Sequence, residues 1–195
     1  MADPSTPRFV DNCPMDDIVR QAMAKWPNVP HCYGWLGLDT RGHWYMRDDR
    51  AQTLGSFASG IPGAKGALLR HDKLIAFIER NYAADPQGQW YFQNGPQRVY
   101  VELETTPWVL RVGDRGPVCT HTGHEVTVDR LLLDEHGRVY LVTPLGLGLV
   151  HTQDIEALSR RLETSPWPTE EMPAAELPAR FGFVRSPQAN AKPGR

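Results

Sequence analysis

One pattern recurs three times and limits what this chain can fold into. Leu38-Asp39-Thr-Arg-Gly42-His-Trp44-Tyr45-Met46 resembles Leu133-Asp134-Glu-His-Gly137-Arg-Val139-Tyr140-Leu141, and Asp85-Pro-Gln-Gly88-Gln-Trp90-Tyr91-Phe92 is a third instance. The shared element is Asp-x-x-Gly-x-(Trp/Val)-Tyr-apolar. The Asp side chain opens a turn, the Gly supplies a positive φ, and aromatic or β-branched residues run on as a strand. A chain punctuated this way builds hairpins.

The likeness continues downstream. Gly66-Ala-Leu-Leu69-Arg-His71-Asp72 matches Gly146-Leu-Gly-Leu149-Val-His151-Thr152. Asp72 and Thr152 are the expected N-caps of two helices. Those helices align Ile75 with Ile155, Ile78 with Leu158 and Tyr82 with Leu162. The offset is 95 residues at the turns and 80 at the helices, so the first copy carries an insertion of about 15 residues. The reading is two copies of a hairpin–strand–helix unit; the competing reading is chance recurrence of turn chemistry.

Between the copies, Asn94-Gly95 predicts a tight hairpin pairing Phe92 with Gln97, Tyr91 with Arg98 and Trp90 with Val99. Trp90, Phe92, Val99, Val101 and Leu103 then share a core face, and Tyr91, Arg98, Tyr100, Glu102 and Glu104 the other. Further strands are expected near residues 108–112, 118–120, 126–128 and 131–134. Pro14 suits the first turn of an amphipathic helix carrying Ile18, Val19, Ala22, Met23 and Trp26. Nine of the 17 prolines lie in the first 14 and last 32 residues, which reads as irregular ends.

The expected fold class is α+β: two tandem small antiparallel β-sheet modules, each with a packing helix, plus an N-terminal helix and a Pro-rich C-terminal tail. The expected boundaries are 1–13 irregular, 14–82 first module, 83–163 second module with its helix, and 164–195 extended tail. In that tail Phe181-Gly-Phe183-Val184 is a possible edge strand, with disorder expected beyond Ser186.

Lys plus Arg is 21 and Asp plus Glu is 23, a formal net charge of −2, which argues against a nucleic-acid partner. No run approaches the roughly 20 apolar residues of a membrane span. The first eight residues lack a secretory apolar core, and Cys13, Cys32 and Cys119 are odd in number and far apart. A cytoplasmic setting without a disulfide framework is the expectation.

The order hairpin, helix, Trp90-Tyr91-Phe92 hairpin, Val99-Tyr100-Val101-Glu102 strand, Thr106-Pro107-Trp108 strand and final helix resembles uncharacterised proteobacterial proteins. These are grouped as domains of unknown function and built from small repeated β-rich modules. The resemblance runs from about Trp35 to Leu162 and includes Leu38-Asp39. It implies a fold of tandem α+β modules and carries no catalytic residue.

Chemistry is sparse. Cys119-x-His121-x-x-His124, with His31-Cys32 upstream, offers zinc ligand types without a zinc spacing, so no metal or cofactor is assigned. No Gly-x-Ser-x-Gly elbow is present and no catalytic residue is assigned. His71 and His151, equivalently placed before helices, read as structural. Gly60-Ile-Pro-Gly63-Ala-Lys65-Gly66 fails both the P-loop and the dinucleotide fingerprint and reads as a flexible insertion, or at most a loose anion nest. Glu102 and Glu104 lack an identifiable opposing carboxylate.

The candidate ligand-binding residues are Tyr91, Arg98, Tyr100 and Glu102 on the outer hairpin face, where phenols, a guanidinium and a carboxylate suit a polar small molecule or a partner strand. Cover by terminal helices would weaken that assignment. The expected function is a non-catalytic small-ligand- or partner-binding, regulatory module. One alternative is a hydrolase-type enzyme using Cys119 and a histidine. The other is a self-associating structural protein, a homo-oligomer anchored by Phe181, Phe183 and Trp167.

Overall fold

The Asp-x-x-Gly turns form as their local chemistry requires. Asp39 Oδ1 accepts from the His43 N–H at 2.8 Å. Asp85 Oδ1 accepts from the Gln87 and Gln89 N–H groups at 3.0 and 2.9 Å. Asp134 Oδ1 accepts from His136 and Arg138 at 2.9 and 2.8 Å. Gly42, Gly88 and Gly137 take φ of 80°, 77° and 73°, open to glycine at little cost. A tyrosine closes two of these turns: Tyr100 Oη donates to Asp85 Oδ2 at 3.1 Å, and Tyr140 Oη to Asp134 Oδ2 at 2.8 Å.

The structure is a computed structural model that describes residues 17–26 and 29–191. The chain folds into two units. Among the described residues, one comprises 17–39, 43–105 and 183–191, and the other 106–182 with the turn 40–42. Pro14, Cys13 and the irregular segment expected over 1–13 lie outside the described residues.

In the first unit the elements are α1 (Asp17–Lys25), β1 (Cys32–Leu38), β2 (Trp44–Met46), α2 (Asp49–Leu54), β3 (Ala67–Leu68), α3 (Asp72–Arg80), β4 (Tyr82–Ala84), β5 (Trp90–Asn94) and β6 (Gln97–Leu103). Its sheet runs β3-β2-β1-β6-β5-β4. Neighbours are antiparallel except β1 and β6, which pair in parallel. Leu36, Leu38, Trp44, Trp90, Phe92, Val101 and Leu103 are buried in its core. Here α3 packs Phe77 edge-on to Phe92, with ring centroids 5.4 Å apart, and Glu79 accepts from the Trp44 indole at 3.4 Å.

In the second unit the elements are β7 (Trp108–Arg111), β8 (Val118–Thr120), β9 (Glu125–Val126), β10 (Arg130–Leu133), β11 (Val139–Thr143), β12 (Gly146–Val150), α4 (Ile155–Thr164), β13 (Thr169–Glu171) and α5 (Leu177–Phe181). The sheet order is β13-β10-β11-β12-β7-β8-β9, with parallel pairs at β10–β13 and β12–β7. Leu110, Leu132, Tyr140, Leu141 and Leu147 fill its interior. Arg111 clamps Asp154, just ahead of α4, with contacts of 2.7 and 3.0 Å. A last helix, α6 (Pro187–Asn190), belongs to the first unit. No described helix is long and apolar enough to cross a membrane.

The α+β class and two tandem β modules match expectation; several details do not. The β5–β6 hairpin belongs to the first unit, so the boundary falls at 105/106 and not at 82/83. The cause is the parallel β1–β6 pairing, a long-range contact invisible to local pattern. The hairpin register pairs Tyr91 with Tyr100, Phe92 with Val99 and Asn94 with Gln97. An Asn94-Gly95 turn would need an N–H from Pro96 to close it; proline has none, so the turn moves on to Gly95-Pro96. The two faces keep their residues, because the shift preserves parity.

The helix caps are also corrected. His71 Nδ1 accepts from the Leu74 N–H and His151 Nδ1 from the Gln153 N–H, both at 3.2 Å, so the caps precede Asp72 and Thr152 by one residue. Nor is the tail simply extended, for it supplies β13, α5 and α6. Val184 bridges Gln89 in parallel, and the Val184 N–H donates to the Gly88 carbonyl at 2.9 Å. Residues 187–190, expected to be disordered, form α6 because Glu102 Oε1 takes the Gln188 N–H at 2.9 Å.

Candidate functional site

The hairpins β1–β2 and β10–β11 lead into connections of very different length. Strand β11 passes to β12 through Pro144-Leu145, whereas β2 reaches β3 only after residues 47–66. This long connection, called the insertion below, holds the glycine-rich stretch expected from the sequence to be flexible. It is instead pinned at several points. Asp48 caps α2 by accepting from the Ala51 N–H at 2.8 Å. Phe57 is buried against β1 at Gly37, where a Cβ would lie 2.4 Å from its ring. Lys65 pairs with Glu104 at 2.7 Å, so the glycine-rich stretch offers no free lysine to an anion.

The central pin is Arg47, 1% exposed. Its Nε donates to the Ala64 carbonyl at 2.8 Å and its Nη2 to the Gly55 carbonyl at 2.6 Å. Nη1 reaches the Gly34 carbonyl at 3.3 Å and Gln188 Oε1 at 3.4 Å. One side chain therefore ties both ends of the insertion to β1 and to α6. Burial lowers its pKa from the ordinary value, and the nearby Glu102 carboxylate opposes that shift. Glu102 is itself buried, and burial raises its pKa, against donors Ser186 Oγ at 2.5 Å and the Gln188 N–H at 2.9 Å.

With its interior side secured, the insertion leaves an open groove of about 510 Å³ beside the β2–β3 edge. Trp35, Met46 and Leu54 wall it, with Pro62 and Ala67, and Asp48 and Arg50 also face it. Trp35, Met46, Leu54 and the neighbouring Ile61 are 44%, 49%, 43% and 46% exposed. Large apolar side chains gathered around one concavity are unusual on a protein surface and mark recognition sites.

The face expected to bind a ligand is placed differently. Tyr91, Arg98 and Tyr100 come together, but as an interior cluster. Tyr33 stacks on Tyr100 with ring centroids 4.5 Å apart, and Arg98 lies 4.4 Å over the Tyr91 ring. Tyr91 and Tyr100 are buried, and burial pushes the Tyr100 phenol up to about 12. Glu102, the fourth candidate, is buried beneath α6 and shares none of these contacts. A terminal helix covers Glu102 and the Tyr91 and Tyr100 rings are buried, whereas Arg98 stays half-buried. The tail anchors are also engaged within the chain. Phe181 and Phe183 are buried, and Arg161 covers the Trp167 ring at 5.2 Å.

The Cys/His constellation does not converge. Among the described residues no three His, Cys, Asp or Glu side chains are placed to hold a metal ion. His121 turns inward, its Nδ1 accepting from the Val109 N–H at 3.3 Å, and burial lowers its pKa to about 3. Cys119, half-buried on β8, faces Arg111 and Glu125 in register.

Sequence reasoning missed Trp35, Met46, Arg50 and Leu54. The usable signal was the stretch between Met46 and Ala67, which carries Leu54, Phe57 and Ile61 among glycines and prolines.

The fold and groove thus define a class: an α+β protein of two mixed-sheet units, one bearing an insertion-borne groove. The family model DUF2944, described as "Protein of unknown function (DUF2946)", matches residues 15–188, and the chain belongs to that family. The resemblance to a domain-of-unknown-function group read from the sequence agrees with this. Among solved structures the chain is similar to a DUF1285 family protein from Silicibacter pomeroyi DSS-3, with a TM-score of 0.45 and 13% identity, covering 79% of this chain and 80% of that one. It is also similar to a DUF1285 family protein from Shewanella baltica OS155, with a TM-score of 0.45 and 15% identity, covering 65% of this chain and 91% of that one. No curated protein matches.

Proposed function

We propose that this chain is a non-catalytic binding module that holds a small, largely apolar molecule in the groove walled by Trp35, Met46 and Leu54. One observation carries the reading: large exposed apolar side chains converge on a single concavity whose frame is fixed by a buried arginine. Exposing that surface disfavours the free protein in water, and a bound molecule relieves it. The volume of about 510 Å³ lies within the roughly 300–1,000 Å³ typical of small-molecule sites.

The duplicated plan supports the same placement. Strands β1, β2, β3 and helix α3 keep the order of β10, β11, β12 and α4, and each set begins beside a parallel neighbour. The copies diverge most at 47–66, and specialisation of one copy would concentrate there. Cys32 and Cys119 are free thiols, which suits a reducing cytoplasm.

The test is equilibrium titration with the neutral fluorophore N-phenyl-1-naphthylamine. The expected result is one-to-one binding with enhanced emission, lost in Leu54→Asp while the urea midpoint stays within error. Dye binding that is absent, or unchanged in Leu54→Asp, refutes the groove.

A further inference from the structure

We infer that the ligand of this groove is a free organic acid with an apolar chain, its carboxylate held by Arg50 at the mouth. The inference rests on the binding-module reading and adds the chemical class.

The charges around the groove decide the polarity. Arg47 and Arg50 both line it, but Arg47 is turned into the protein and its donors are taken by carbonyls. Among the described residues Arg50 is exposed and engages no side-chain partner, so its planar fork faces solvent beside an apolar wall. A guanidinium so placed matches a carboxylate in a bidentate pair. Asp48 also reaches the groove, but its Oδ1 is bent back onto the Ala51 N–H at the start of α2. Among the other lining side chains, Met46, Leu54, Pro62 and Ala67 suit a methylene chain or an aromatic body and bring no N–H or O–H group, and Trp35 adds an indole with a single N–H donor. An adaptable thioether and an indole accept flexible chains without a single rigid shape.

A ligand whose head were cationic would meet Arg50 unfavourably and find only a capping carboxylate. A neutral alcohol would gain the apolar contacts and lose the ion pair. The groove therefore ranks three probes of equal length: decanoate first, 1-decanol second, decylamine last.

The experiment is displacement of the bound fluorophore by each probe, on the whole chain and on Arg50→Gln. Decanoate should displace with an affinity about fivefold tighter than decanol, the scale of a partly exposed ion pair. Arg50→Gln should abolish that preference while leaving decanol and the urea midpoint unchanged. Equal affinities in the native chain, or a preference that survives Arg50→Gln, overturns the assignment of the head group. Fluorophore binding lost in Leu54→Asp but displaced by none of the three probes also overturns it and leaves the groove standing. Failure of the fluorophore itself refutes the module reading instead.

Discussion

Replacing Arg47 with methionine should loosen the insertion and not merely lower overall stability. The side chain makes two short charge-assisted bonds, 2.8 Å to the Ala64 carbonyl and 2.6 Å to the Gly55 carbonyl, with longer ones to Gly34 and Gln188. Hydrogen bonds to charged groups contribute about 1.5–3 kcal/mol each; of the two carbonyls left without a donor, that of Ala64 is buried and that of Gly55 half-buried. Methionine recovers part of the packing, so the net loss works out at about 3–5 kcal/mol, a large share of a typical domain's ~5–15 kcal/mol. Lysine keeps the charge but has one nitrogen in place of three, and should cost about half as much.

The pH dependence has a definite sign. Burial raises the Glu102 pKa above its ordinary 4.5, and the Arg47 charge holds that rise down. Through the raised window the native state binds more protons than the unfolded chain, so stability falls as pH rises from 4.5 through the folded pKa. Without Arg47 the window extends upward, so Arg47→Met should be more damaging at pH 7 than at pH 4. The assay is urea unfolding at both pH values, with amide exchange at Ala64 and Gly66 reporting the insertion. A loss below about 1 kcal/mol, or unchanged exchange at those amides, refutes the role given to Arg47.

Three further outcomes are expected. Gly37→Ala drives a methyl to 2.4 Å from the Phe57 ring and should lower stability by about 1–3 kcal/mol, with partial recovery in Gly37→Ala/Phe57→Leu, read by urea midpoint. His71→Ala and His151→Ala each remove a ring nitrogen that caps a helix at 3.2 Å, and each should cost about 1 kcal/mol by the same measurement. His121 is held near 3 by burial while an unfolded histidine protonates near 6.5, so stability should fall as pH drops from 6.5 toward 3. His121→Phe should flatten that acid limb, whatever it does to the neutral-pH midpoint.

Local chemistry was the legible part of this chain. Asp39, Asp85 and Asp134 announce their turns because an Asp side chain and a following Gly act within five residues of sequence. Faces of the β5–β6 hairpin were readable because alternation survives a shift of register. Its register was not, since Pro96 denies the N–H that the stronger turn signal would have used. The caps slipped by one because histidine Nδ1 can do the work usually assigned to Asp or Thr.

The hidden part depends on distant pairing. Tyr91, Arg98 and Tyr100 look like an open polar face until Tyr33 stacks on Tyr100 from β1. Glu102 looks solvated until Ser186 and Gln188 arrive from the other end of the chain. Trp35, Met46 and Leu54 look like core residues, and only the fold leaves them outside it.

The most direct test of the groove as the binding site is to watch the indole N–H resonances of all six tryptophans during a decanoate titration. Trp35 walls the groove while Trp44, Trp90 and Trp108 are buried, so the account predicts saturable movement of the resonance that disappears in Trp35→Phe, with the other five nearly still. Movement centred on another tryptophan, or no movement at saturating decanoate, would contradict it.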